Sequence, residues 1–230
     1  MGTRLILWDI DRTLIDSDGT GYAAFAAAFR EFTGLSDFER TQGPGRTEWK
    51  WFTETLHANG MRDPGDWFPQ FRDLLVKEFA ERAKEITPET ILLPGVPEVL
   101  RRTADHPDMV SSLLTGNSKA NARVKMELAR LDQYLDLESG AYGDDREERP
   151  DLVPLAQRRA HATTGIRFDA DSTVLVGDSP NDIRAAKEGG ARIVAVATGV
   201  FTADQLSAAG APVVLDNLGD VPATLAALVN

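Results

Sequence analysis

The chain has 230 residues and a formal net charge of -11, with 42% hydrophobic and 27% charged residues and no cysteine. That balance suits one large globular domain, or a core with a smaller insert. It argues against a nucleic-acid or polybasic membrane surface. Without cysteine there are no disulfides, no thiolate catalysis and no cysteine-ligated zinc. Three scattered histidines, His57, His106 and His161, make a poor zinc site. No apolar run reaches the length of a membrane span. The opening MGTRLILWDI lacks a signal-peptide layout, and Ile6 stands where a myristoylation signal wants Ser or Thr. The expectation is a cytoplasmic protein with no nucleic-acid or membrane partner, as monomer or homodimer.

In chain order, RLILWDI reads as a first buried strand that ends on Asp9, with Asp11 and Thr13 just beyond. TGYAAFAAAFREFTG predicts a helix closing at Gly34, and PGDWFPQFRDLLVKEFAERAKEI predicts another with Pro64 near its start. Between them lies TQGPGRTEWKWFTETLHANG. About seventy residues thus separate the first strand from LLPGVPEVL, far more than one crossover helix needs. The reading is an all-helical insert over residues 17–91, hinged near Ser17 to Gly19 and Leu92 to Gly95, on a core of residues 1–16 and 92–230.

MVSSLLTG is the second strand, followed by helical periodicity in SKANARVKMELARL. LESGAYG is a weaker third, STVLVGD the clearest, and NDIRAAKEGG a helix after it. ARIVAVATG and the short APVVL complete the strands before a final helix near 221–229. Strands alternating with helices imply an α/β fold with a parallel sheet, whose ligands bind beyond the carboxyl ends of the strands. Asp9, Thr115 and Asp178 all fall at such ends.

An isolated DxD is more often a capped strand end, and Asp178 alone a helix cap. Two acidic clusters at strand ends, Asp9 with Asp11 and Asp178 with Asp182, are harder to explain that way. Gathered carboxylates repel one another, and a hard cation with oxygen ligands resolves the conflict, Mg²⁺ above all.

DIDRT, LLTGN, a basic residue at Arg149 before Pro150, and GDSPND, in that order, resemble the four motifs of the haloacid dehalogenase superfamily, in its phosphoglycolate phosphatase-like branch with a helical cap. The resemblance implies a Rossmann-like core, a mobile cap over residues 17–91, and Mg²⁺-dependent hydrolysis of a small phosphomonoester. It makes Asp9 the nucleophile, forming an aspartyl-phosphate, and Asp11 the general acid and base. It has Asp9, Asp178 and the backbone carbonyl of Asp11 hold the metal. Thr115, Gly116 and Asn117 would bind the phosphate at a helix start. Arg149, with Arg146 as a rival, would balance charge on the transferring group, and Asp182 would orient metal-bound water or Arg149 from behind.

Two departures stand out: Arg12 where many relatives carry Gly, and Arg rather than Lys at 149. Within the family, Asp11 argues against dehalogenation. Lys50, the one lysine in the middle of the cap, is better read as a solvated helix residue than as a Schiff-base lysine. A sugar-phosphate mutase and a non-catalytic phosphate-binding protein of the same fold are the alternatives. QGPGRTEW resembles a substrate-specificity loop of the cap, with Arg46 as anchor for the substrate's second polar or anionic end. Trp49 and Trp51 could line the pocket, at least one of them as packing.

Overall fold

A computed structural model describes residues 2–17, 19–41, 43 and 45–229. The elements in chain order are β1 (Arg4–Trp8), α1 (Thr20–Thr33), α2 (Glu48–Ala58), α3 (Trp67–Arg82), α4 (Pro88–Ile91), α5 (Val96–Ala104), β2 (Met109–Leu113) and α6 (Lys119–Leu128). They continue with α7 (Leu152–Thr164), β3 (Thr173–Gly177), α8 (Pro180–Gly189), β4 (Arg192–Val196), α9 (Ala203–Ala208), β5 (Val214–Leu215) and α10 (Val221–Val229). The five strands pair in parallel in the order β2-β1-β3-β4-β5.

Parallel strands covered on both faces must be apolar on both, and the period of two shows it. Ile6 and Trp8 of β1 join Val174, Val176, Val194 and Val196 in one buried cluster. Leu5 and Leu7 join Leu175 and Ile193 in the other. Trp8 is fully buried and places its one polar atom, Nε1, 2.8 Å from Ser111 Oγ.

Helices α1 to α3 carry a third cluster, built from Phe25, Phe29, Phe52, Phe71, Leu75 and Phe79. Phe25 and Phe29, and Phe71, Leu75 and Phe79, recur at helical spacing, so each helix turns an apolar stripe inward. Helix α1 ends as expected, at a left-handed Gly34 whose N–H reaches Arg30 O. Helix α3 starts three residues after Pro64, because Asp63 Oδ1 accepts from the N–H groups of Gly65, Asp66 and Trp67 and holds that stretch as a turn. The chain leaves and re-enters the core side by side: Ile15 bridges Leu92, and Asp16 N donates to Ile91 O. The segments expected as hinges, Ser17 to Gly19 and Leu92 to Gly95, adjoin these contacts; Asp18 lies outside the described residues.

One predicted strand is absent. LESGAYG forms only a single bridge, Leu114 to Ala141. Asp136 Oδ1 accepts from Glu138 N and Ser139 N, groups that a strand would need for its ladder, and Gly140 packs against the Tyr142 ring. Local side-chain bonding thus outcompetes pairing there.

Candidate active site

The backbone brings the expected residues to one place. Asp9 leaves β1 with its N–H bonded to Val176 O, and Thr115 follows β2. Asp178 follows β3, and Asp182 sits in the first turn of α8. Arg149 lies in a 3₁₀ turn before α7 and is buried with its Nη2 2.8 Å from Asp9 Oδ1 and 2.6 Å from Asp182 Oδ1. Nη1 donates to Gly45 O, and Nη2 also lies 3.4 Å from Leu114 O. Arg146 is exposed and, among the described residues, bonds only its neighbour's carbonyl, Asp145 O. The position beside the acids therefore belongs to Arg149. Asp182 Oδ2 completes a capping box by accepting from the N–H and hydroxyl of Ser179, which aims its other oxygen at Arg149.

Ligand oxygens of Asp9, Asp178 and Asp182 lie within 4.8 Å of one another. Burial, only partly offset by Arg149, pushes Asp9 up to about 7. Burial and the neighbouring Asp182 and Asp9 push Asp178 up to about 9. The Asp11 carboxylate belongs to a different network. Lys125 Nζ donates to both its oxygens at 2.6 and 2.7 Å, and Asn117 Nδ2 donates to Oδ2 at 2.7 Å. Burial raises Asp11, but Lys125 and Asn117 outweigh it and hold the carboxyl below its ordinary value. Asn117 also donates to Thr115 Oγ1 and accepts from Lys125, tying the second motif to the first.

The loop before α2 closes over these groups. Glu48 N donates to Gly116 O at 2.7 Å, and its carboxylate accepts from Ser118 N and Asn121 Nδ2. Thr47 Oγ1 donates to Glu147 O. A Cβ at position 116 would stand 2.0 Å from Arg46 O, so only glycine allows this docking. Beneath the loop lies a cavity of about 140 Å³, lined by Asp9, Asp11, Arg12, Thr115, Lys125 and Asp178 among others. Arg46 lines it too, but its guanidinium is paired with Glu54 and bonded to Gly43 O. Gln42 and Pro44 of this loop lie outside the described residues. Trp51 lines the cavity while stacking on Phe25, and Trp49 stacks on Phe68, so both tryptophans pack. Lys50, expected as a solvated helix residue, is half-buried and pairs with Glu148; all three histidines are exposed.

Residues 6–196 match the family described as haloacid dehalogenase-like hydrolase. The chain belongs to that family. It is 28% identical over 231 residues to the probable phosphatase IndB of Dickeya dadantii, covering 98% of this chain and 94% of that one. It is 27% identical to the phosphoglycolate phosphatase of Photorhabdus laumondii, covering 97% and 93%. Among solved structures it is similar to a CbbY variant of Rhodobacter sphaeroides in complex with xylulose-(1,5)bisphosphate. The TM-score is 0.72 at 21% identity, with coverage of 95% and 96%. This likeness bears on the fold, and with the observed strand order it agrees with the Rossmann-like core that the resemblance implied. No helix among the described residues is long and apolar enough to cross a membrane.

The hydrolase site fits a divalent cation on its own chemistry. Three carboxylates face one guanidinium, and Asp178 Oδ2 is buried with no hydrogen-bond partner among the described residues. A Cβ at Gly199 would stand 1.8 Å from that oxygen, so glycine there leaves the carboxylate its space. All-oxygen carboxylate ligation suits a hard cation. The raised values of Asp9 and Asp178 set the sign of a measurable effect. Both groups start from 3.8, so the fold keeps protons that the unfolded chain has released. Stability without metal then falls as pH rises from about 4 towards about 9. In EDTA, Tm is expected to drop between about pH 5 and about pH 9, and Mg²⁺ is expected to raise it most at the alkaline end. A thermal-shift series that is flat in pH and blind to Mg²⁺ would remove the acids from a metal site.

Two contributors escaped the sequence reading. Lys125 falls on the buried stripe of α6 with Ala122 and Met126, and a lysine on an apolar helix face was the available signal. Its Nζ also lies over the Phe79 ring. Glu48 carried no such signal, since it reads as an ordinary acidic residue in a first helical turn.

Proposed function

We propose that this hydrolase is a Mg²⁺-dependent phosphatase that cleaves a small phosphomonoester through an aspartyl-phosphate on Asp9. The observation that carries the reading is the buried Asp9 beside Arg149, with Asp178 and Asp182 gathered next to it and Asp11 held separately by Lys125.

Mg²⁺, held by Asp9, Asp178 and the backbone carbonyl of Asp11, would supply positive charge that lets a carboxylate approach a phosphate. Asp9 attacks phosphorus, the ester P–O bond breaks, and the leaving oxygen takes a proton from Asp11. The anionic phosphoryl group nearby favours that protonated form. Water then attacks the phosphoryl group, Asp11 takes its proton, and the bond to Asp9 breaks to release inorganic phosphate. The ion pair with Lys125 favours the ionised Asp11 that this second step needs. Thr115 and the N–H groups of Gly116 and Asn117 hold the phosphate oxygens, Arg149 offsets their charge, and Asp182 keeps Arg149 in place. Helices α1 to α3 act as the cap, and Gly45, Arg46 and Thr47 before α2 help to exclude bulk water.

Curated relatives that match in sequence carry names for hydrolysis, which favours a phosphatase over a mutase. The test is phosphate release from a panel of small phosphomonoesters. Turnover is expected with Mg²⁺ and its loss with EDTA, restored by added Mg²⁺. Turnover indifferent to EDTA would sink the metal-dependent mechanism.

A further inference from the structure

We infer that Arg12 forms a subsite for a second anionic group on the substrate, a carboxylate or a second phosphate, distinct from the transferring phosphoryl group. The inference rests on the phosphatase reading and narrows it to substrates that carry two acidic groups.

Cations lining the cavity are neutralised at short range with one exception. Arg149 pairs with Asp9 and Asp182, Lys125 with Asp11, and Arg46 with Glu54. Arg12 lines the same cavity and is partly buried, yet among the described residues its guanidinium forms no hydrogen bond or ion pair. A cation drawn partly out of water without a counter-ion is unfavourable, and an anionic ligand group supplies what is missing.

The backbone gives a second, independent argument. Arg12 has φ 63°, in the left-handed region that favours glycine. The turn is held there by Arg12 N donating to Ile15 O and by the Thr198 hydroxyl donating to Arg12 O. A long β-carbon-bearing side chain at such a position is strained, and strain of this kind is kept where the side chain has a use. No fold contact of the guanidinium accounts for it, and the cavity does. Arg46, the residue expected from its place in the loop to hold the substrate's far end, is already engaged by Glu54. The role passes to Arg12.

The experiment compares kcat/KM for phosphoglycolate, a sugar bisphosphate and p-nitrophenyl phosphate in wild type, Arg12→Gly and Arg12→Lys, with Tm recorded for each. Glycine suits the left-handed turn, so Arg12→Gly is expected to fold with no loss of Tm. Its kcat/KM on at least one doubly acidic ester is expected to fall roughly 10- to 100-fold relative to that on p-nitrophenyl phosphate. Arg12→Lys is expected to recover part of that difference. A selective loss on phosphoglycolate assigns the subsite to a carboxylate, and one on the bisphosphate assigns it to a phosphate. Equal losses on all three esters, no loss, or a wild type that cleaves only p-nitrophenyl phosphate would overturn the inference while leaving the phosphatase reading intact. A wild type that releases phosphate from none of them would count against that reading itself.

Discussion

Asp9→Asn is expected to lower phosphate release on the order of 10⁴-fold or more, the scale on which removal of a nucleophile acts. An amide cannot displace the ester oxygen, so no phosphoenzyme forms. Wild type quenched in acid during turnover should carry phosphate on Asp9, and the variant none. The variant should nonetheless fold. Burial and Asp182 disfavour the charge on Asp9 more than Arg149 favours it, so an amide of the same shape relieves that cost while Arg149 keeps Asp182 as its partner. A variant that loses activity and also unfolds would argue that Asp9 holds the fold rather than the chemistry. Activity that survives the substitution would rule Asp9 out as nucleophile.

Arg149→Met is expected to be the most damaging change to stability. The side chain is buried, and its Nη2 serves Asp9 at 2.8 Å and Asp182 at 2.6 Å. Burial alone would disfavour its charge, but Asp182 and Asp9 outweigh that and push it above its ordinary value. Removing one partner of a buried ion pair costs about 3–5 kcal/mol, because the other charge is left without compensation. For a chain of this size that is a drop in Tm of roughly 6–20 °C. Activity should fall as well, on the order of 10²-fold or more, since the cation beside the phosphoryl group is lost. Arg149→Lys keeps the charge but not the fork that reaches Asp9, Asp182 and two carbonyls. It should recover more stability than activity. A thermal melt of Arg149→Met that matches wild type would show that the acids are balanced by another group.

Most of the scaffold was readable from residue order because it is local. The alternation of Leu5, Ile6, Leu7 and Trp8 marks a strand buried on both faces, and it is one. The run from Thr20 to Gly34 carries its own helix and its own stop. LESGAYG failed for an equally local reason, since Asp136 competes for the backbone groups that pairing would use. The start of α3 shifted because Asp63 does the same before Trp67.

The acids and Thr115 were legible as a site because strands that alternate with helices run parallel, and parallel strands deliver their carboxyl ends to one edge. By itself the sequence placed Asp9, Thr115 and Asp178 at strand ends on one edge of the sheet, put helices between the first two strands, and left no cysteine to act. Only the tertiary structure decided which cation answers which acid. Arg149 rather than Arg146 reaches Asp9, Lys125 crosses from α6 to Asp11, Glu54 takes Arg46, and Arg12 is left facing the cavity. Ion pairing depends on distances of a few ångströms between side chains, and here partners are separated by up to 140 residues of chain, as Asp9 and Arg149 are. No local pattern carries that information; the packing of α6, α2 and the turn after β1 around one cavity creates it.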